Sequence, residues 1–221
     1  MPDTAAPPDI AFASTPLPLV ARPRTVRARH AASLVVLRRR ASGEPEVLMG
    51  MRGARHRFMP NRLVFPGGAV DRADLTAPAA TALAPHTRVL LERHANPSLA
   101  HGLGIAAARE LAEETGLALG DPPALDGLDY LCRAVTPPPG PVRFNARFLV
   151  VDAARVSGTL AGSGELEDLR FVELEVASAL DLAAPTRFVI ERLRAWMALS
   201  EAERVAPRRT GLMTRRDWRL E

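Results

Sequence analysis

The sequence predicts a single α/β domain, and two observations carry that prediction. Short apolar runs of strand length, bounded by turn residues, occur in both halves of the chain, and two longer segments with helical spacing lie among them. With 221 residues the chain is long enough to bury a core and to carry terminal extensions. We divide it into a lead-in over residues 1–28, a domain over 29–203 and a tail over 204–221.

The lead-in is rich in Pro and Ala, lacks a hydrophobic period, and reads as disordered. Ala32 to Leu37 and Glu46 to Met51 read as two strands of a hairpin, joined through Ser42, Gly43 and Pro45. Leu63 to Phe65 reads as a third strand, ended by Pro66, Gly67 and Gly68 in a loop that a phosphate can approach closely. From Arg72 to Leu103 runs a long segment with a short helix around Arg88 to Arg93, then Asn96-Pro97 and a Gly102/Gly104 pair. A segment of that length suggests a lid over a site, or else a passive surface elaboration.

The next segment, Ala106 to Leu119, separates its residues when wound as a helix. Ile105, Ala108, Leu111, Ala112 and Thr115 form a packing arc, Glu110, Glu113 and Glu114 project from the opposite face, Arg109 stands at the border, and Gly116 ends the helix. The like-charged pair Glu110/Glu114 should cost an isolated helix about 0.2–0.5 kcal/mol. A hard divalent cation such as Mg2+ would offset that repulsion, since it takes carboxylate oxygens together with substrate phosphates. A solvated acidic face is the alternative.

Asp129 to Val135 and Val142 to Val151 read as strands on either side of a proline run. In the second, Phe144, Ala146, Phe148 and Val150 share one face, and Arg143, Asn145 and Arg147 the other, where the arginines meet solvent or an anionic substrate. Glu165, Glu167 and Asp168 lie in a loop before a strand at Leu169 to Leu174. Pro185 to Ser200 is the second helix, its Phe188, Val189, Leu193, Trp196 and Met197 forming a core stripe.

All cationic side chains other than histidine are arginine, and the net charge is +4. The tail holds six arginines against Asp217 and Glu221, so it matches the charge of the whole chain and the rest is near neutral. The arginines form no single stripe along the sequence, which makes nucleic acid an unlikely partner class. Cys132, the single cysteine, excludes an intramolecular disulfide and a thiolate metal cluster. No apolar run reaches membrane-spanning length and no secretory h-region is seen, so a cytoplasmic protein without membrane contact is expected.

Two stretches, FPGG at Phe65 to Gly68 and RELAEETGL at Arg109 to Leu117, resemble the signature box of the Nudix hydrolases. The second half matches at Arg109, Glu110, Leu111, Glu113, Glu114, Gly116 and Leu117. In the first half Gly68 is the opening glycine, and Asp74 stands where the family has glutamate. Between Asp74 and Arg109 lie 34 residues where the family has seven, so the box is split by a helical insertion. The resemblance implies a Nudix α/β/α sandwich with a mixed sheet and metal-dependent hydrolysis of a diphosphate linkage in a nucleoside diphosphate derivative.

On that resemblance Mg2+, with Mn2+ as a substitute, would be held by Glu110, Glu113, Glu114 and the Gly68 carbonyl. Arg109, four residues before Glu113, would orient it through an ion pair, and Glu110 or Glu167, with Glu165 next in order, would be the general base. The stretch from Leu48 to Gly68 further resembles the motif of the coenzyme A diphosphatases through Arg52, Arg57 and FPGG, although Gly53 and Asn61 depart from it. It implies that Arg52, Arg57, Gly67 and Gly68 bind substrate, with CoA or an acyl-CoA favoured. NADH, ADP-ribose or a nucleotide sugar is the alternative substrate, and a non-catalytic nucleotide- or RNA-binding module the alternative class. A homodimer is compatible with the sequence.

Overall fold

A computed structural model describes residues 26–53, 61–138, 141–215 and 217–221. The expected lead-in therefore lies almost wholly outside the described residues, as do Arg57 and its neighbours. The first hairpin forms as the alternation requires, with strand β1 (Arg29–Arg39) antiparallel to β2 (Pro45–Arg52). Strands β3 (Arg62–Val64) and β4 (Gly67–Ala69) follow, β3 on β2 and β4 on β1.

Helix α1 (Pro85–Glu92) leads to helix α2 (Pro97–Thr115), which is 19 residues long and starts well before Ala106. Asn96 caps α2 by accepting from the Leu99 amide at 2.8 Å, Pro97 occupies the first turn, and Gly116 closes it at φ 72°. The Gly102/Gly104 pair of the long segment sits inside this helix. A Cβ at Gly102 would fall 2.8 Å from Leu75 Cδ2, and one at Gly104 would fall 3.1 Å from Leu125 Cδ1, so both permit close packing.

Then come β5 (Leu117–Ala118), β6 (Asp129–Val135), β7 (Phe144–Asp152), β8 (Ser157–Gly158) and β9 (Leu166–Glu173). Helices α3 (Leu174–Ala179), α4 (Ala184–Met197) and α5 (Glu201–Val205) precede a final hairpin of β10 (Gly211–Thr214) and β11 (Asp217–Leu220). The main sheet runs β11-β10-β6-β7-β1-β2-β3, with β4 on β1 and β9 on β2. It is mixed, because β1/β7 and β6/β10 are parallel and the other pairs antiparallel. The arginine-rich tail thus extends the sheet.

The sheet carries a core on each face, which makes the α/β/α sandwich. Leu34, Val36, Leu149 and Val151 pack against Leu90, Leu91, Leu103 and Leu111 of α1 and α2. On the opposite face Val35, Phe148 and Val150 pack against Phe188, Val189 and Leu193 of α4. The segment before α2 belongs to the first core: Leu83, Leu90 and Leu91 are buried, and the Thr87 hydroxyl donates to the Leu128 carbonyl at 2.8 Å. The lid reading is therefore corrected, since those apolar side chains are what the long segment contributes to the core.

Candidate active site

The glycine loop meets α2 where the carboxylates emerge, but the three glutamates do not share one solvated face. Glu114 is buried at 1% exposure, whereas Ala112 is exposed. The Glu114 carboxylate turns into the loop, where its Oε2 accepts from the Gly67 amide at 2.8 Å and its Oε1 is buried without a hydrogen-bond partner among the described residues. Gly68 presses on Glu110, for a Cβ there would lie 2.2 Å from Glu110 Oε1. Gly67, at φ +154°, has equally little room beside Ser33 Oγ and the Ala32 carbonyl.

Arg109 ties this end together. Its Nε and Nη2 donate to the two oxygens of Asp74, both at 3.0 Å, and Nη2 also donates to the Ala69 carbonyl at 3.1 Å. Its Nη1 reaches Glu110 at 2.9 Å and Glu113 at 3.0 Å. Asp74 is itself buried and accepts from the Asp71 amide at 2.8 Å, so the shorter acid still reaches the guanidinium across the 34 intervening residues.

Burial, chiefly, pushes the Glu114 carboxyl up to about 8, aided by the charges of Glu110 and Glu165 and opposed by the Gly67 amide and Arg52. Burial also raises Glu110, with Arg109 opposing and the charges of Glu113 and Glu165 adding to it. Glu165 is thus the loop acid whose charge reaches both helix glutamates. Glu167, ranked ahead of it from sequence, lies exposed on β9 opposite Met51. Only the register of β9 on β2, which pairs Leu166 with Arg52, separates the two acids, and sequence spacing does not contain it.

Among the described residues no three His, Cys, Asp or Glu side chains stand together as a ready-made metal cage. Glu113 is the reason within the helix set: it is more than half exposed and turned onto Arg109. The remaining donors nevertheless fit a hard cation. Glu114 presents an orphaned buried oxygen, and it and Glu110 repel each other in surroundings that already disfavour their charged forms.

Beside the loop opens a cavity of about 200 Å3, walled by Phe65, Phe144, Phe148, Pro137, Pro185 and Met213. Gly67, Gly68 and Arg52 line it, and at the other side so does Arg215 of the final hairpin. Whole-ligand sites typically span about 300–1,000 Å3, so this one suits part of a substrate, with the rest at its mouth. Phe144, Ala146 and Phe148 share one face as the alternation predicts, and that face supplies the pocket wall as well as core. Arg143 and Arg147 do not reach the pocket. Arg143 donates to the Thr136 and Val26 carbonyls, and Arg147, 1% exposed, donates to the Asn145 and His94 carbonyls and to His30 Nδ1. The role of Arg215 had no signal beyond the basic composition of the tail.

No protein-family model matches the sequence, and no curated protein does. Solved structures do match. A NUDIX hydrolase from Alicyclobacillus acidocaldarius superimposes with a TM-score of 0.60 at 27% identity, covering 78% of this chain and 93% of that one. The chain has the Nudix fold. A MutT NUDIX hydrolase from Burkholderia pseudomallei shares it at a TM-score of 0.50 and 19% identity, over 76% of this chain and 99% of the other. The structure brings the glycine loop and the acidic end of α2 together although 34 residues separate Asp74 from Arg109.

Proposed function

We propose that the protein is a diphosphohydrolase that cleaves the diphosphate linkage of a nucleoside diphosphate derivative, with CoA or an acyl-CoA as the favoured substrate. The likeness to the Alicyclobacillus Nudix hydrolase supports an enzyme of this type. The observation that carries the reading is the placement of buried Glu114 and half-buried Glu110 against the glycine loop, at one end of an apolar pocket lined by arginine.

Glu110 and Glu114 are the residues that would hold a divalent cation, Mg2+ or in its place Mn2+, with the Gly68 backbone beside Glu110. When bound, such an ion neutralises charge on the diphosphate and lowers the pKa of a coordinated water. Arg109 positions Glu110 through its anchor on Asp74. Glu165 takes the proton from the attacking water, a role worth about 10²–10⁴-fold. Arg52 faces the pocket beside the loop, where a guanidinium suits phosphate oxygens. Arg57, the other arginine that the sequence resemblance assigns to substrate binding, lies outside the described residues. The apolar walls exclude water from the leaving nucleotide. Among the described residues no helix is long and apolar enough to cross a membrane, which agrees with action on a small dissolved substrate.

The test is to incubate the protein with CoA, an acyl-CoA, NADH, ADP-ribose and a nucleotide sugar, with and without Mg2+, and to identify products by mass. Glu114→Gln and Glu165→Gln run alongside. Metal-dependent release of 3′,5′-ADP from CoA, abolished in Glu114→Gln, is the expected result. Cleavage of another compound alone would discard the CoA assignment, and inactivity across the panel would favour a nucleotide-binding module.

A further inference from the structure

Among the described residues the pocket has two cationic side chains in its lining, and they come from different parts of the sheet. Arg52 lies at the end of β2 near Glu114, whereas Arg215 follows β10, whose Thr214 pairs with Val135. Four strand spacings separate β10 from β2, about 19 Å across the sheet. Between them stand Phe65, Phe144 and Phe148. The two side chains thus enter the lining of one cavity from well-separated strands.

Arg215 is also an unusual choice for its backbone. It sits at φ 57° in the turn of the β10–β11 hairpin, a left-handed position where Gly or Asn is the economical residue and a long side chain costs stability. Other arginines of the tail hold the fold in place: Arg208 donates to Asp129 and to the Tyr130 carbonyl, Arg209 to the Leu220 carbonyl, and Arg204 lies over Trp196. Arg215 makes no hydrogen bond or ion pair among the described residues, while its side chain lines the pocket mouth. A local rule broken without a structural return marks a functional position.

We propose that Arg215 is a specificity-determining residue that binds a second phosphate of the substrate, a phosphomonoester on the nucleotide part, distinct from the diphosphate held beside Arg52 and the glycine loop. This assignment rests on the diphosphohydrolase reading of the site and narrows it to nucleotides carrying such an extra phosphate. A planar guanidinium with paired donors matches that group.

The experiment separates binding from turnover. Calorimetric titration compares 3′,5′-ADP with 5′-AMP, and kinetics compare CoA with dephospho-CoA, each pair differing by one phosphomonoester. Wild type should favour the phosphorylated member by about tenfold to a hundredfold, the range of a hydrogen bond to a charged group. In Arg215→Gly and Arg215→Ala the preference should shrink to about twofold or less, and Arg215→Lys should keep part of it. The glycine variant should melt no lower than wild type, because its backbone is relaxed at that φ. A wild type that does not discriminate, or a glycine variant that keeps the preference, overturns the assignment. A preserved binding preference without hydrolysis of either CoA form would sustain Arg215 and overturn the hydrolase reading.

Discussion

Asp74→Ala cuts the link between the segment after the glycine loop and Arg109 of α2, and its cost can be worked from the contacts. The Asp74 carboxylate is 4% exposed and accepts two hydrogen bonds from Arg109 at 3.0 Å as well as the Asp71 amide. Each charge-assisted bond is worth about 1.5–3 kcal/mol, and removing one partner of a buried pair costs about 3–5 kcal/mol. Arg109 is about a quarter exposed and keeps Glu110 and Glu113, so the lower end, about 3 kcal/mol, applies. At about 2–4 °C per kcal/mol for a domain of this size, the melting temperature should fall by about 6–12 °C. Urea denaturation of wild type, Asp74→Ala, Arg109→Ala and the double variant should return a coupling of about 2 kcal/mol or more. Asp74→Glu should recover most of the stability because it restores the charge. Additive single effects, with coupling below about 0.5 kcal/mol, would show that Asp74 and Arg109 stabilise the fold independently. Turnover should fall with stability in Asp74→Ala, since Arg109 would no longer be anchored as it orients Glu110.

Further expectations follow from the same contacts. Gly68→Ala should reduce kcat sharply while changing the melting temperature less than Gly67→Ala, because the first Cβ meets the movable end of Glu110 and the second meets the Ala32 carbonyl at 2.5 Å; a fully active Gly68→Ala would contradict the close approach. His30 should give a pH dependence to stability. Its pKa is lowered by burial and then by the charges of Arg147, Arg27 and Arg133, and its Nδ1 accepts from Arg147 at 2.8 Å. The folded state therefore binds the proton less readily than the unfolded one, so this stabilisation is present above about pH 6.5 and is lost as pH falls from there through the lowered value. His30→Gln should melt with a shallower dependence between about pH 7 and 5, and an identical slope would exclude His30 as the source. Deleting residues 77–98 should abolish cooperative folding, as it removes Leu83, Leu90 and Leu91 from the core; a stable deletion with unchanged kinetics would return the segment to a passive surface elaboration.

The strands and both principal helices were legible because burial on a sheet or helix imposes a period on the chain. Leu34 and Val36 alternate with Val35 and Leu37 and enter opposite cores, as a period of two requires. The start of α2 was not legible, since Gly102 and Gly104 carry a loop propensity that packing against Leu75 and Leu125 overrides. The acidic residues of α2 and the glycine loop were readable from their spacing. Their division of labour was not: Glu110, Glu113 and Glu114 look alike in sequence, and the position of the glycine loop buries one, half-buries another and leaves the third to solvent.

The sequence by itself determined the α/β class, the acidic helix with its glycine stop, and the loop that faces it, because these depend on local period and backbone freedom. Long-range packing placed Asp74 against Arg109 across 34 intervening residues, brought the charge of Glu165 to bear on Glu110 and Glu114, and put Arg215 in the pocket lining. Each of these depends on which strands lie side by side, a consequence of long-range packing and register that no spacing along the chain encodes.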